Sequence, residues 1–192
     1  MLAGILVIPA SAATLYDSGT VTIQQAGYGN YLPTTAGNTI GGGYWKYTSN
    51  DGCQLVGKVN YFWGGKSYVI GWDSRWGTLT KVTAPGNDTS GTYRPFGLDC
   101  SGFIDWALRN AGLPSDGHWY INTNLTAVSQ ADALPGDIAL YPDASHVGMV
   151  VGRNEAGKLL VCHCSSGQNN VVITEFAASG FTVVGRLSYM DS

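Results

Sequence analysis

Cys100 stands between Asp99 and Ser101 at the head of the segment CSGFIDWALRNAG. Phe103, Ile104, Ala107, Leu108 and Ala111 recur there at helical spacing, and Gly112 and Pro114 close the run. A helix that starts near residue 100 makes Asp99 its N-cap and puts the thiol in the first turn. Unpaired backbone N–H groups and the positive end of the helix dipole favour a thiolate there, and the same N–H groups suit an oxyanion. The charge of Asp99 opposes the thiolate, so the thiol needs an imidazole partner. The chain holds three histidines, His118, His146 and His163. His146 opens the strand-like segment HVGMVVGR, and His163 lies in the next one, KLLVCHC. A cysteine, a base and a residue that orients the base are the parts of nucleophilic acyl transfer.

The elements that must bring these side chains together follow from the patterning. Strands are expected over 137–141, 146–153, 158–164, 170–174 and 181–190. One helix followed by an antiparallel meander is an α+β layout. RNEAGK supplies the turn between the two histidine strands. A hairpin of even parity, centred between Glu155 and Ala156, sets His163 against Gly148 and leaves His146 as its diagonal neighbour on one face, roughly 7 Å away. An odd register sends the two rings to opposite faces. Cys162 and Cys164 alternate away from His163, toward packing. Residues 51–58 carry capping signals for a short helix, and 66–98 hold enough glycine and proline to read as a surface loop or lid.

The chain is 192 residues, 44% hydrophobic and 12% charged, with a net charge of −3. That composition excludes disorder, and the absence of a Lys/Arg cluster removes the electrostatic footprint of a nucleic-acid binder. The opening MLAGILVIPASAA is too short to span a bilayer; it reads either as the remnant of a secretory signal or as a buried strand. Residues 14–49 form an extension of strands and loops, with GTVTIQQ as one strand. The four cysteines do not make a disulfide framework, although a bridge from Cys53 stays open beside the reading of Cys53, Cys162 and Cys164 as buried hydrophobes. His118 reads as a loop histidine.

YFWGG (61–65), DCSGFIDWAL (99–108), PGDIALY (135–141), HVGMVVG (146–152) and VCHCSSG (161–167) follow one another in an order that resembles NlpC-type peptidases. The likeness covers about residues 50–192, after an extension at 1–49. It implies a papain-like fold with the nucleophile helix packed on a mostly antiparallel sheet of five to six strands. It also implies a thiol peptidase that cuts peptidoglycan stem peptides, with Cys100 as nucleophile, His146 as base and His163 as third residue. Tyr61 matches a residue whose hydroxyl helps bind the oxyanion. Asp99 and Ser101 match positions that recognise the peptide's N-terminal side in some members, and Asp99 reads equally as a helix cap alone. No cofactor or metal is implied, a monomer is expected, and the substrate places the enzyme outside the cell or at its wall. The scissile bond expected is the D-glutamyl to diamino-acid link. The long insertion at 66–98 departs from the family, and its Trp72, Trp76 and Tyr93 either pack the loop or stack on substrate.

Two other readings share these residues. One keeps the fold and changes the bond, to an N-acetylmuramoyl-L-alanine amidase or another acyl transfer. The other gathers His146, Cys162, His163 and Cys164 around a metal, which strand alternation opposes.

Overall fold

The computed structural model describes residues 55–110, 125–154 and 156–187, with the backbone of two short paired strands, β1 (Leu15–Asp17) and β2 (Thr20–Thr22). The readings made for Cys53, His118 and the first residues of the chain lie outside the described residues. Of the helix expected over 51–58, the described part is a turn closed by Lys58 N–H to the Leu55 carbonyl at 3.0 Å.

Helix α1 runs Cys100–Asn110. Its start is set by Asp99, whose Oδ1 accepts the Gly102 N–H at 2.6 Å and whose carbonyl accepts the Phe103 N–H at 2.9 Å, the bonding of an N-cap. Its apolar stripe buries Phe103, Ile104, Ala107 and Leu108 completely, each large side chain contributing about 1.5–3 kcal/mol relative to an exposed position.

The sheet has six strands: β5 (Leu125–Val128), β6 (Ile138–Leu140), β7 (Val147–Arg153), β8 (Leu159–Ser165), β9 (Asn170–Glu175) and β10 (Val183–Leu187). Their order is β5-β10-β6-β7-β8-β9, antiparallel throughout. Four consecutive strands form the meander read from the sequence. After a 3-10 turn at Ala177–Ser179, β10 returns to pair with β6 on one side and β5 on the other. Strand β5 was not anticipated, because LTAV is short and half exposed. One face of the sheet, with Met149, Val151, Leu160 and Cys162, packs under α1. The other, with Val150, Val161 and Val184, packs against Phe176 and Phe181.

The hairpin β7–β8 departs from the expected parity at its turn. Near the turn Arg153 pairs with Leu159 and Gly152 with Leu160, an odd connection closed by the Asn154 N–H on the Lys158 carbonyl at 2.9 Å. Between Val150 and Gly152 the register shifts by one, so that Val151 is the extra residue of a β-bulge. Beyond the bulge Val150 pairs with Val161 and Met149 with Cys162. One step further, Gly148 lies against His163: a Cβ on this glycine would sit 3.0 Å from the His163 Cβ. An odd turn and a bulge together restore the register that an even turn alone would have set.

The 66–98 insertion is folded rather than a free loop. It contains a small hairpin, β3 (Leu79–Lys81) with β4 (Tyr93–Pro95). Trp76 is buried, with Trp72 edge-on at 4.9 Å and Trp106 of α1 at 5.7 Å. Trp76 therefore packs the insertion onto the helix, whereas Trp72 and Tyr93 remain 56% and 62% exposed.

Candidate active site

The head of α1 is held by backbone contact. Asp99 donates its N–H to the Gly65 carbonyl at 3.1 Å, and Phe62 donates to the Leu98 carbonyl at 2.9 Å. A Cβ on Gly65 would lie 2.3 Å from the Gly97 carbonyl, and one on Gly102 would lie 2.0 Å from the Gly65 carbonyl. Neither neighbour can yield, because both are backbone. Gly65 of YFWGG and Gly102 of the helix thus let the 61–65 segment lie directly against the helix start, whereas Gly64 faces Ala84.

Cys100 sits at that start, with the backbone N–H groups of Ser101 and Val147 directed at its sulfur. It lines a cleft of about 350 Å³ together with Trp63, Lys66, Pro85, Ser101 and Val147. Burial pushes the thiol above its ordinary value, and Asp99 pushes it the same way. The two N–H groups and Lys66 only partly oppose them. The helix end alone therefore does not ionise this thiol, because withdrawal from water outweighs it.

His146 precedes β7, so the peptide that joins it to Val147 borders the Cys100 sulfur. Its Nε2 lies 2.8 Å from Nδ1 of His163, and Nε2 of His163 lies 2.9 Å from Thr174 Oγ1 on β9. With each Nε2 as donor the relay is self-consistent: His146 gives its proton to His163, and His163 gives its own to the threonine hydroxyl. Nδ1 of His146 then carries the free lone pair. Both rings lie on the face opposite the α1-packed one, where Phe181 approaches them at 5.5 and 5.2 Å and Tyr141 meets His146 at 5.0 Å. Burial lowers His146 to about 4 and His163 to about 3, the latter helped by His146. Both imidazoles are neutral bases at pH 7.

Cys162 and Cys164 occupy the other face. Cys164 is fully buried, with its sulfur 3.1 Å from the Leu98 carbonyl, and it is close enough to Cys100 for their charges to interact. They point away from the imidazoles, as expected, but toward the helix that carries Cys100. Imidazoles and thiols on opposite faces do not converge on a metal ion. Cys100 and Cys164 are free thiols.

Tyr61 forms a parallel bridge with Leu98, and its hydroxyl is held well above its usual range, first by burial and then by the nearby Cys100 and Asp99. Asp99 Oδ1 accepts from Ser101 Oγ at 2.8 Å, from the Gly102 N–H, and from Lys66 Nζ at 2.7 Å; Lys66 also donates to Ser101 Oγ. Asp99 is thus a helix cap and an ion-pair partner at once. Lys66, Thr174 and Phe181 escaped the sequence reading. Lys66 meets Asp99 across 33 residues, and Thr174 and Phe181 come from later strands and turns, so no local signal marks them.

Comparison with known proteins bears on the family and the fold. A probable endopeptidase of Mycobacterium tuberculosis and its counterpart in Mycobacterium bovis are each 39% identical to the chain over 105 residues, 53% of the chain and 25% of the relative. The chain therefore spans about a quarter of the length of these curated relatives. Among solved structures, the P60 domain of Mycobacterium avium subspecies paratuberculosis antigen MAP1204 superposes with a TM-score of 0.52 at 22% identity, covering 78% of this chain and 96% of that one. The Mycobacterium tuberculosis peptidoglycan hydrolase RipB gives 0.51 at 22% identity, covering 75% and 64%. These likenesses establish the papain-like fold. Residues 57–182 match the model of the NlpC/P60 family, and the chain belongs to that family.

Proposed function

We propose that the protein is a cysteine endopeptidase of peptidoglycan stem peptides, working through Cys100, His146 and His163. The observation that carries this reading is the imidazole relay at the sheet's end, 2.8 Å from ring to ring, beside a helix-terminal thiol that borders the His146–Val147 peptide. The resting pair is a neutral thiol and a neutral imidazole. As the sulfur attacks the scissile carbonyl, its proton passes to Nδ1 of His146, and the imidazolium that forms is shared along Nε2 with His163 and Thr174. The carbonyl oxygen becomes an oxyanion, for which backbone N–H groups at the helix head and the Tyr61 hydroxyl are the nearby donors. Collapse expels the amine, which leaves with the proton from His146. Water then attacks the thioester, gives a proton to His146, and releases the acid and the thiol. Phe181 and Tyr141 pack against the imidazoles of the relay.

The same substrate class places the enzyme at the cell wall or outside the cell. The bond proposed is the D-glutamyl to diamino-acid link. Incubating defined muropeptides with wild type and Cys100→Ala, followed by mass spectrometry, tests the reading. Wild type should release the two halves of the stem peptide, and the variant should release nothing while unfolding at the same temperature. Turnover by Cys100→Ala refutes the nucleophile, and cleavage between muramic acid and alanine would make the enzyme an amidase instead.

A further inference from the structure

We propose that Lys66 selects the substrate: its ammonium fills the seat beside Asp99 that a substrate ammonium would take, so the cleft accepts stem peptides whose amino end is acylated. This rests on the peptidase reading. Lys66 and Asp99 are the only charged side chains among the described residues lining the cleft that holds Cys100. A lone carboxylate in such a wall attracts a cation. Here Asp99, its side chain only 10% exposed, already has one, with Lys66 Nζ 2.7 Å from Oδ1. The same oxygen accepts from Ser101 and from the Gly102 N–H, so three donors share it.

The lysine has little freedom to withdraw. Its stem lies against the first turn of α1, where a Cβ on Gly102 would come within 3.1 Å of the Lys66 Cδ, and its side chain is 22% exposed. The ammonium has three N–H donors. Two go to Asp99 and Ser101, and the third is left for an acceptor in the cleft. An amide carbonyl or a carboxylate of the substrate satisfies it. A second ammonium meets like charge in a partly desolvated cleft and finds its carboxylate taken. An acylated amino end, as on a stem peptide still joined to its sugar, brings the acceptor and no charge.

The test compares two stem peptides that differ only in N-acetylation. Wild type should show kcat/KM for the acetylated peptide on the order of 10- to 100-fold above the free amine, the range set by leaving a buried polar group unsatisfied. Lys66→Met keeps the stem and removes the charge, which frees Asp99 for the substrate, so the preference should vanish or reverse. Lys66→Arg should retain it. Lys66→Gln supplies a second uncharged variant if the methionine chain does not fold. Equal turnover of both peptides by wild type overturns the proposal, and so does an unchanged ratio in the uncharged variants. Titrating both peptides into Cys100→Ala by calorimetry reads the preference without chemistry. A failure of wild type to cleave either peptide refutes the peptidase reading, while tighter binding of the acetylated peptide still upholds the role of Lys66. Equal affinity, or binding of neither, overturns that role.

Discussion

Lowering the pH separates a neutral catalytic pair from an ionic one. In the folded chain burial holds His146 at about 4 and His163 at about 3, whereas each titrates near 6.5 when unfolded. Between 6.5 and 4 the unfolded chain binds a proton at each ring and the folded chain does not. The unfolded state therefore gains as pH falls, and stability that is complete above 6.5 is lost progressively toward the folded values. The slope is about 1.4 kcal/mol per pH unit for each ring, and for His146 the loss reaches about 3 kcal/mol at pH 4. Activity follows a different limb. His146 must be neutral to take the thiol proton, so kcat/KM should hold above pH 5 and be half-maximal near 4 while the protein remains folded. Urea unfolding at pH 7.5, 5.5 and 4.5 measures the first effect, and the shift of the ring carbon-bound protons by NMR assigns it to each histidine. Replacing His163 with Asn should remove about half of the slope. If His146 in the substrate-free enzyme titrates near or above 6.5, the resting site is a thiolate–imidazolium pair and the argument from burial is wrong.

Two further substitutions probe the support of the relay. Thr174→Val removes the hydroxyl 2.9 Å from Nε2 of His163; kcat should fall about tenfold with KM unchanged, and stability by about 1 kcal/mol, the worth of one partly buried hydrogen bond. Steady-state kinetics with denaturant unfolding checks both, and an unaltered kcat removes the threonine from the relay. Gly148→Ala places a methyl 2.4 Å from Cγ1 of the fully buried Val161 and 3.0 Å from the His163 Cβ. It should cost about 1–3 kcal/mol by overpacking and tilt His163 away from His146. Thermal unfolding and the NMR titration of His146 report the two effects separately.

How the site became legible differs from residue to residue. Helix α1 could be read because everything that defines it is local. Asp99 caps it, Phe103, Ile104, Ala107 and Leu108 recur on one face, and the cap bond appears at the position the pattern implies. Five of the sheet's six strands were legible as runs of apolar residues between turn residues, and the common face of His146 and His163 followed from a register read between them. That register survives only because two departures cancel. The turn at Asn154–Lys158 is odd, the bulge at Val151 shifts it back, and neither was visible beforehand.

What the sequence by itself determined about this protein was which candidate groups stand on which elements, since helix period, strand period and capping act over a few residues. Tertiary structure decided the rest. Lys66 reaches Asp99 across 33 residues, Thr174 and Phe181 close around the imidazoles from separate segments, and the insertion lays Pro85 against the cleft of Cys100. Above all, the protonation of the pair depends on how much water the packed chain excludes, and that is a sum over neighbours distant in sequence.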